Sequence, residues 1–249
     1  MSLSVIDRLA RARRARAEVS LEGAPTDLAD AYPVQAGVMK ILGESVGGWK
    51  VGHDPQSKAP MGAPMYASGF IASGASFTLA PGRPMIPEVE IAVRLSRDLP
   101  KRTGNAYTRD EILDSVSEML LAFELIERRI PPKDSPFAFN LADDLGNIGF
   151  VSGPAAANFR DLDLSALRCR FWMGDELVND RSGGHSKGDP LVPLVDWANG
   201  QRDLAGGMKA GQIVTLGSLT PMRAMTGPMK LVAELEGFGV ASLDVIQGI

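Results

Sequence analysis

The chain has 249 residues, 45% hydrophobic and 22% charged, with a formal net charge of −4. That composition excludes a disordered chain, no apolar run reaches bilayer length, and the negative balance argues against general binding of phosphate backbones. Cys169 is the only cysteine, which excludes an intrachain disulfide and a cysteine-based zinc site and suits a reducing cytoplasm.

The length fits a single domain over residues 1–249, with 1–45 as a helical N-terminal segment. The arginine-rich start has two readings, a targeting segment and a surface helix. Ser4 as N-cap, Asp7 at N3 and the apolar positions Ile6, Leu9, Ala10 and Ala17 favour the helix. Pro25-Thr26-Asp27 caps a second helix over 28–43, which Pro33 should interrupt. Residues 46–53 form a strand between glycines, with Lys50 on the face opposite Trp49 and Val51. Residues 54–67 contain Pro55, Pro60, Gly62 and Pro64 and read as a loop long enough to act as a lid. Strands follow at 70–79 and 87–95. In the second, Glu88, Glu90 and Ala92 share one face and Val89, Ile91, Val93 and Leu95 the other. Its two acids lie roughly 7 Å apart at Cα, an arrangement that fits either a solvated strand face or a shared divalent cation.

Thr108-Arg109-Asp110-Glu111 is a capping box, predicting a helix to about Leu121 with Ile112, Leu113, Val116, Met119 and Leu120 inward. A strand over 123–128 should then close at Pro131-Pro132. The rest reads as a hairpin of 166–173 and 176–180 around Gly174-Asp175, a helix over 190–199, and strands at 213–216, 230–236 and 240–245. The 27 glycines and 17 prolines agree with many turns. The expected fold class is α+β, a mostly antiparallel mixed β core with outer helices.

Several segments, taken in order, carry a resemblance. Gly48-Trp49-Lys50-Val51-Gly52, Glu88-Val89-Glu90 on a strand and Glu124 followed by Arg129-Ile130 together resemble the fumarylacetoacetate hydrolase superfamily. Within it, the nearest likeness is the 2-keto-4-pentenoate hydratase and oxalocrotonate decarboxylase branch. Ala31-Tyr32-Pro33-Val34-Gln35, the 141–151 segment and the 209–220 segment are similar to further family segments. His53-Asp54-Pro55 departs from the family's usual Leu-Thr-Ser, and Asp144 stands where an Asn is usual.

The resemblance implies a superfamily fold of the fumarylacetoacetate hydrolase C-terminal-domain type and Glu88, Glu90 and Glu124 as ligands of Mg2+ or Mn2+. Three carboxylates brought together repel one another, and all-oxygen ligation suits those hard cations. Spacing alone leaves Glu124 and Glu127 equally open to surface ion pairs with Arg128 or Arg129. Lys50 and Asp143 would be the catalytic residues, the first neutralising enolate charge or moving a proton, the second a base. Asp143-Asp144 before glycine is also a good turn. Ser218 and Thr220 would border the substrate carboxylate, or simply close a turn, and His53 would contact substrate.

The activity implied is addition of water to a 2-hydroxy-2,4-dienoate, giving a 4-hydroxy-2-oxo acid in aromatic catabolism. It would be carried out by a cytoplasmic homo-oligomer, with a downstream aldolase or a decarboxylase as partner. Alternatives are decarboxylation of a 2-oxo-3-enedioate, acylpyruvate-type C–C hydrolysis, and a catalytically idle oligomeric scaffold. A small-molecule substrate is expected, and neither nucleic acid nor membrane.

Overall fold

A computed structural model describes residues 3–131 and 135–248. In chain order the elements are α1 (Val5–Ala15), α2 (Leu28–Leu42), β1 (Val46–His53), β2 (Pro60–Tyr66), β3 (Phe70–Ala72), β4 (Ser76–Leu79), β5 (Ile86–Leu95), α3 (Arg109–Leu113), β6 (Val116–Ile126), α4 (Phe137–Ala142), β7 (Asn147–Ala155), β8 (Arg168–Met173), β9 (Glu176–Ser182), α5 (Val192–Gly200), β10 (Ile213–Ser218), β11 (Met229–Leu235) and β12 (Gly239–Gln247). A seven-stranded sheet runs β2-β1-β10-β5-β6-β7-β3 and a five-stranded sheet β4-β12-β11-β8-β9. Most pairings are antiparallel; β1 with β10, β3 with β7 and β4 with β12 are parallel. This is the mixed, mostly antiparallel α+β core that the sequence implies.

One face of the larger sheet supplies the main core. Val89, Ile91 and Val93 of β5 join Leu121, Phe123 and Leu125 of β6 in a cluster that includes Phe171 and Leu231 of the second sheet. On the same cluster, Trp197 of α5 packs against Trp49 and Tyr32, with ring centroids 6.3 and 6.0 Å away. Gly62 on β2 permits this approach, since a Cβ there would lie 2.4 Å from the Trp197 ring. The other face of β5 and β6 is not wet. Ala92, Leu120, Ala122, Phe150, Ile213 and Met65 bury it in a smaller cluster, and Glu90 and Glu124 beyond them are 2% and 0% exposed. The solvated-face reading is thereby excluded for Glu90, while Glu88 at the end of the row is half-buried.

Several expectations are corrected. The 54–67 stretch is no open lid: its second half is β2, fully paired antiparallel to β1 from His53↔Pro60 to Val46↔Tyr66, because its alternate residues fill the core despite the prolines. The capping box at Thr108 forms as predicted, but α3 ends at Leu113. Residues 116–126 instead take a strand matched along its length with β5, and this ladder outweighs the local amphipathic pattern. The predicted 70–79 strand splits at Ser73 to Ala75 and feeds both sheets. Pro33 does not interrupt α2, which runs from its Asp27 cap through to Leu42. Both α4 and β7 went unread. Pro132, part of the predicted closing pair, and Met1-Ser2 at the start lie outside the described residues.

Candidate active site

Register builds the site. Across the β5–β6 ladder Glu88 lies directly opposite Glu124, and β10 places Ser218 opposite Glu90. Directly opposed residues have neighbouring Cβ atoms, and one carboxylate oxygen from each of Glu88, Glu90 and Glu124 lies within 4.8 Å of the others. From β1, Lys50 reaches across the same face, its Nζ 2.6 Å from Glu124 Oε1. Asn147, the first residue of β7, donates from Nδ2 to the same oxygen at 3.0 Å. The Gly217 N–H donates to Glu90 Oε2 at 3.1 Å. Glu124 Oε2 is buried and has no partner.

These contacts set the charge states. Burial pushes Glu88 up to about 7; Lys50 draws it back, Glu124 pushes it further up and Arg128 draws it down. Glu90 is raised well above the usual carboxylate range, by burial first and then by Glu124 and Glu88. Burial works against the charge of Lys50, yet Glu124, Glu88 and Glu90 outweigh it and the ammonium is held more firmly protonated than usual. One lysine thus faces three glutamates, and the buried group is short of positive charge.

The side chains of the other residues singled out from sequence have partners outside the three glutamates. Asp143 ends α4, buried, with Oδ1 accepting from Arg13 Nε at 3.1 Å and Oδ2 from Arg129 Nε at 3.0 Å. A carboxylate held by two guanidiniums is suited to anchoring the chain around it. Arg13 Nη2 also lies 2.7 Å from Asp144 Oδ2, and burial leads the effects that leave Asp144 at about 6. So α1 is more than a surface helix, since it inserts an arginine beside the site. Asp144, Leu145 and Gly146 all have positive φ, 49°, 53° and 78°, a turn strained at Leu145 that delivers Asn147 to Glu124.

His53 sits with Trp49 and Val51 on the face away from Lys50. Its Nε2 lies 2.8 Å from Asp196 Oδ2 of α5, and it lines a separate cleft of about 410 Å³ with His185 and Gly217. Ser218 Oγ donates to the Thr220 carbonyl at 2.9 Å, while Thr220 Oγ1 accepts from the Val89 N–H at 3.3 Å. These two hydroxyls therefore fasten the end of β10 to β5. Arg13 and Asn147 were missed as contributors. The arginine-rich start was the available signal for the first, and nothing in local pattern marked the second.

No protein-family model matches the chain. It is 28% identical over 221 residues to the 2-keto-4-pentenoate hydratase of Burkholderia vietnamiensis (strain G4 / LMG 22486), covering 84% of this chain and 82% of that protein. It is 23% identical over 224 residues to a 4-oxalocrotonate decarboxylase of Pseudomonas putida, covering 86% and 84%. Among solved structures it is similar to 4-oxalocrotonate decarboxylase from Pseudomonas putida G7 complexed with magnesium and adipate, with a TM-score of 0.83 at 18% identity over 98% of this chain and 99% of that one. Fumarylpyruvate hydrolase from Pseudomonas aeruginosa in complex with Mn2+ and pyruvate aligns with a TM-score of 0.56 at 14% identity over 80% and 89%. Over most of its length the chain is thus similar in sequence to a 2-keto-4-pentenoate hydratase and a 4-oxalocrotonate decarboxylase, and it shares the fold of a solved 4-oxalocrotonate decarboxylase.

The residues of the site fit a divalent cation. The three converging carboxylates, the partnerless buried Oε2 of Glu124 and the excess of acid over base all fit one. Oxygen-only donors suit Mg2+ or Mn2+ rather than a softer metal.

Proposed function

We propose that the protein is a divalent-metal-dependent hydratase that adds water to a 2-hydroxy-2,4-dienoate to give a 4-hydroxy-2-oxo acid. The observation that carries this reading is the Glu88–Glu90–Glu124 cluster, its last two members buried and the first half-buried, with Lys50 bound to Glu124. The hydratase relative, aligned over most of its length, supports it.

Glu88, Glu90 and Glu124 would hold Mg2+ or Mn2+. When bound, the cation supplies Lewis-acid polarisation of the substrate's C1 carboxylate and C2 oxygen. The residues of the chain do the remaining work. Lys50, kept protonated by its acidic neighbours, places an ammonium where negative charge develops on the C2 oxygen as the dienol becomes a ketone. Asn147 and Lys50 both engage Glu124 Oε1, which fixes the carboxylate and leaves Oε2 turned to its free side. The Gly217 N–H does the same for Glu90. Once the ketone is conjugated with the remaining double bond, water adds at C4 and a proton at C3.

A second reading, decarboxylation of a 2-oxo-3-enedioate, is favoured by the 0.83 TM-score to the P. putida G7 decarboxylase. It uses the same charge stabilisation at C2. The setting implied by the hydratase reading is a cytoplasmic homo-oligomer that passes its product to an aldolase or takes its substrate from a decarboxylase. No helix among the described residues is long and apolar enough to cross a membrane.

The test is the ultraviolet decay of 2-hydroxypenta-2,4-dienoate with Mg2+ or Mn2+, repeated with chelator, with the product identified by mass. Metal-dependent decay to a product heavier by one water is expected. Carbon dioxide release from 2-oxo-3-hexenedioate without turnover of the monoacid would replace hydration with the second reading, and activity undiminished by chelator would contradict both.

A further inference from the structure

The chain has two histidines. Both line the cleft of about 410 Å³ beside β1, and they are used differently. His185 engages the backbone with both ring nitrogens: Nε2 donates to the Leu216 carbonyl at 2.9 Å, and Nδ1 accepts from the Lys187 N–H at 3.3 Å. Burial lowers its pKa, the Leu216 carbonyl and Asp189 oppose that, and Lys187 and His53 add to it. His53 engages only one nitrogen. Its side chain is 9% exposed and its Nε2 lies 2.8 Å from Asp196 Oδ2, while Nδ1 has no partner among the described residues and is not buried. That nitrogen therefore opens into the cleft.

The charges around the opening are mostly positive. Lys58, from the turn after β1, and Lys187, from the loop before α5, are exposed and belong to the lining. The one acid in the lining, Asp54, is buried, and its Oδ1 accepts from the Gln56 and Ser57 N–H groups at 2.8 and 2.6 Å. Nearby, Asp196 is held by His53, and Asp189 by Arg109 at 2.6 Å. Pro193 brings the first turn of α5, the positive end of that helix, to the same wall. Gly217 forms the back: a Cβ there would lie 2.8 Å from His185 Nε2, while its N–H donates to Glu90. Neither Lys50 nor any of the three glutamates is in the lining, so this cleft stands behind the carboxylate site with one residue of β10 between them.

We propose that the cleft binds a phosphate group, with Lys58, Lys187 and the protonated imidazole of His53 as its cations. Asp196 fixes the His53 ring through Nε2, which leaves Nδ1–H to donate into the cleft. Ser186, also in the lining, adds a hydroxyl. Cations converging from separate segments suit an oxyanion with several oxygens and two charges, whereas a carboxylate is satisfied by one planar fork. The cleft leaves room beside the phosphate for a small organic group, so free phosphate and a phosphomonoester share the same chemistry here. The site does not depend on the metal-dependent reading above.

Calorimetric titration of the full chain with inorganic phosphate and with glycerol 2-phosphate tests it, with chelator present and ionic strength fixed by chloride. Binding at one site per chain is expected. Lys187→Met and His53→Gln should each weaken it about tenfold, and Lys187→Arg should stay within about threefold of the parent protein. Tighter binding of the ester identifies the phosphate as part of a larger molecule, and tighter binding of inorganic phosphate identifies the free ion; either order supports the site. Because Lys187 is exposed, Lys187→Met reads the site even if His53→Gln fails to fold. No binding of either compound, or an affinity unchanged in Lys187→Met, overturns the proposal. Neither result touches the metal-dependent reading, since chelator keeps the glutamate cluster free of cations throughout.

Discussion

Two buried ionic clusters lie side by side at one end of the larger sheet, and they are built to different rules. Around α1, Arg13, Arg16, Arg83 and Arg129 meet Asp143, Asp144 and Glu127, so that every acid has at least one cation. Its partnerless atoms sit among opposite charges, as Glu127 Oε1 does 3.7 Å from Arg83 Nε. Around β5 and β6, Lys50 alone meets Glu88, Glu90 and Glu124. The first cluster is balanced by the chain itself and fastens the N-terminal helix to the core. The second is left unbalanced, and a deficit of two positive charges in a buried site is what a divalent cation corrects. Burial of charge does not mark function by itself; burial of uncompensated charge on rigid strands does.

Neutralising an acid should therefore have opposite effects in the two clusters. Asp143→Asn leaves Arg13 and Arg129 without their shared partner, and denaturant unfolding should show a loss of about 3–5 kcal/mol. Glu88→Gln removes repulsion, and the metal-free protein should gain on the order of 1–3 kcal/mol above neutral pH while losing metal-dependent activity. Destabilisation by both substitutions would erase the distinction.

Lys50→Met tests the one cation of the unbalanced cluster. With metal supplied, kcat should fall about 10²- to 10⁴-fold, and a fall in kcat/KM through KM alone would assign Lys50 to binding instead.

The pH dependence sharpens the same contrast. Glu88 has its folded pKa raised to about 7 from 4.5, so its proton stabilises the metal-free fold fully below the unfolded value. That contribution is lost as pH rises through about 7. Melting temperatures of metal-free protein should accordingly decline between about pH 5 and 8, and Glu88→Gln should flatten the decline. A rising curve would contradict the buried, mutually repelling carboxylates.

The smallest effect is expected at Asn147. Asn147→Ala removes one donor to Glu124 Oε1, and affinity for Mn2+ should drop about tenfold with the fold intact. An unchanged affinity would make Asn147 a strand residue only.

Much of this contrast was legible before the structure, and the reasons for the rest are local. Alternation put Glu88 and Glu90 on one face, and the strand over 46–53 placed Lys50 opposite Trp49. Both survive because short-range period fixes which way side chains point. Pairing register is a long-range property, so the Glu88↔Glu124 match rested on family likeness alone. The 108–121 helix failed because Ile112, Val116, Met119 and Leu120 satisfy a helical stripe, while a strand buried on both faces leaves no alternation to oppose it. Asp143 was singled out for its carboxylate, but its partners come from residues 13 and 129, contacts no local window contains. Asn147 was invisible for a similar reason: its role depends on the left-handed turn at Asp144 and Leu145, a conformation that a leucine rarely adopts.

The most direct test of the cation site is Mn2+ titration of the purified chain and of Glu124→Gln, followed by electron paramagnetic resonance and calorimetry. One Mn2+ should bind per chain with release of protons, and Glu124→Gln should abolish it while the protein remains folded. Binding of equal stoichiometry and affinity in Glu124→Gln, or none in the parent chain, would contradict the assignment of Glu88, Glu90 and Glu124 as its ligands.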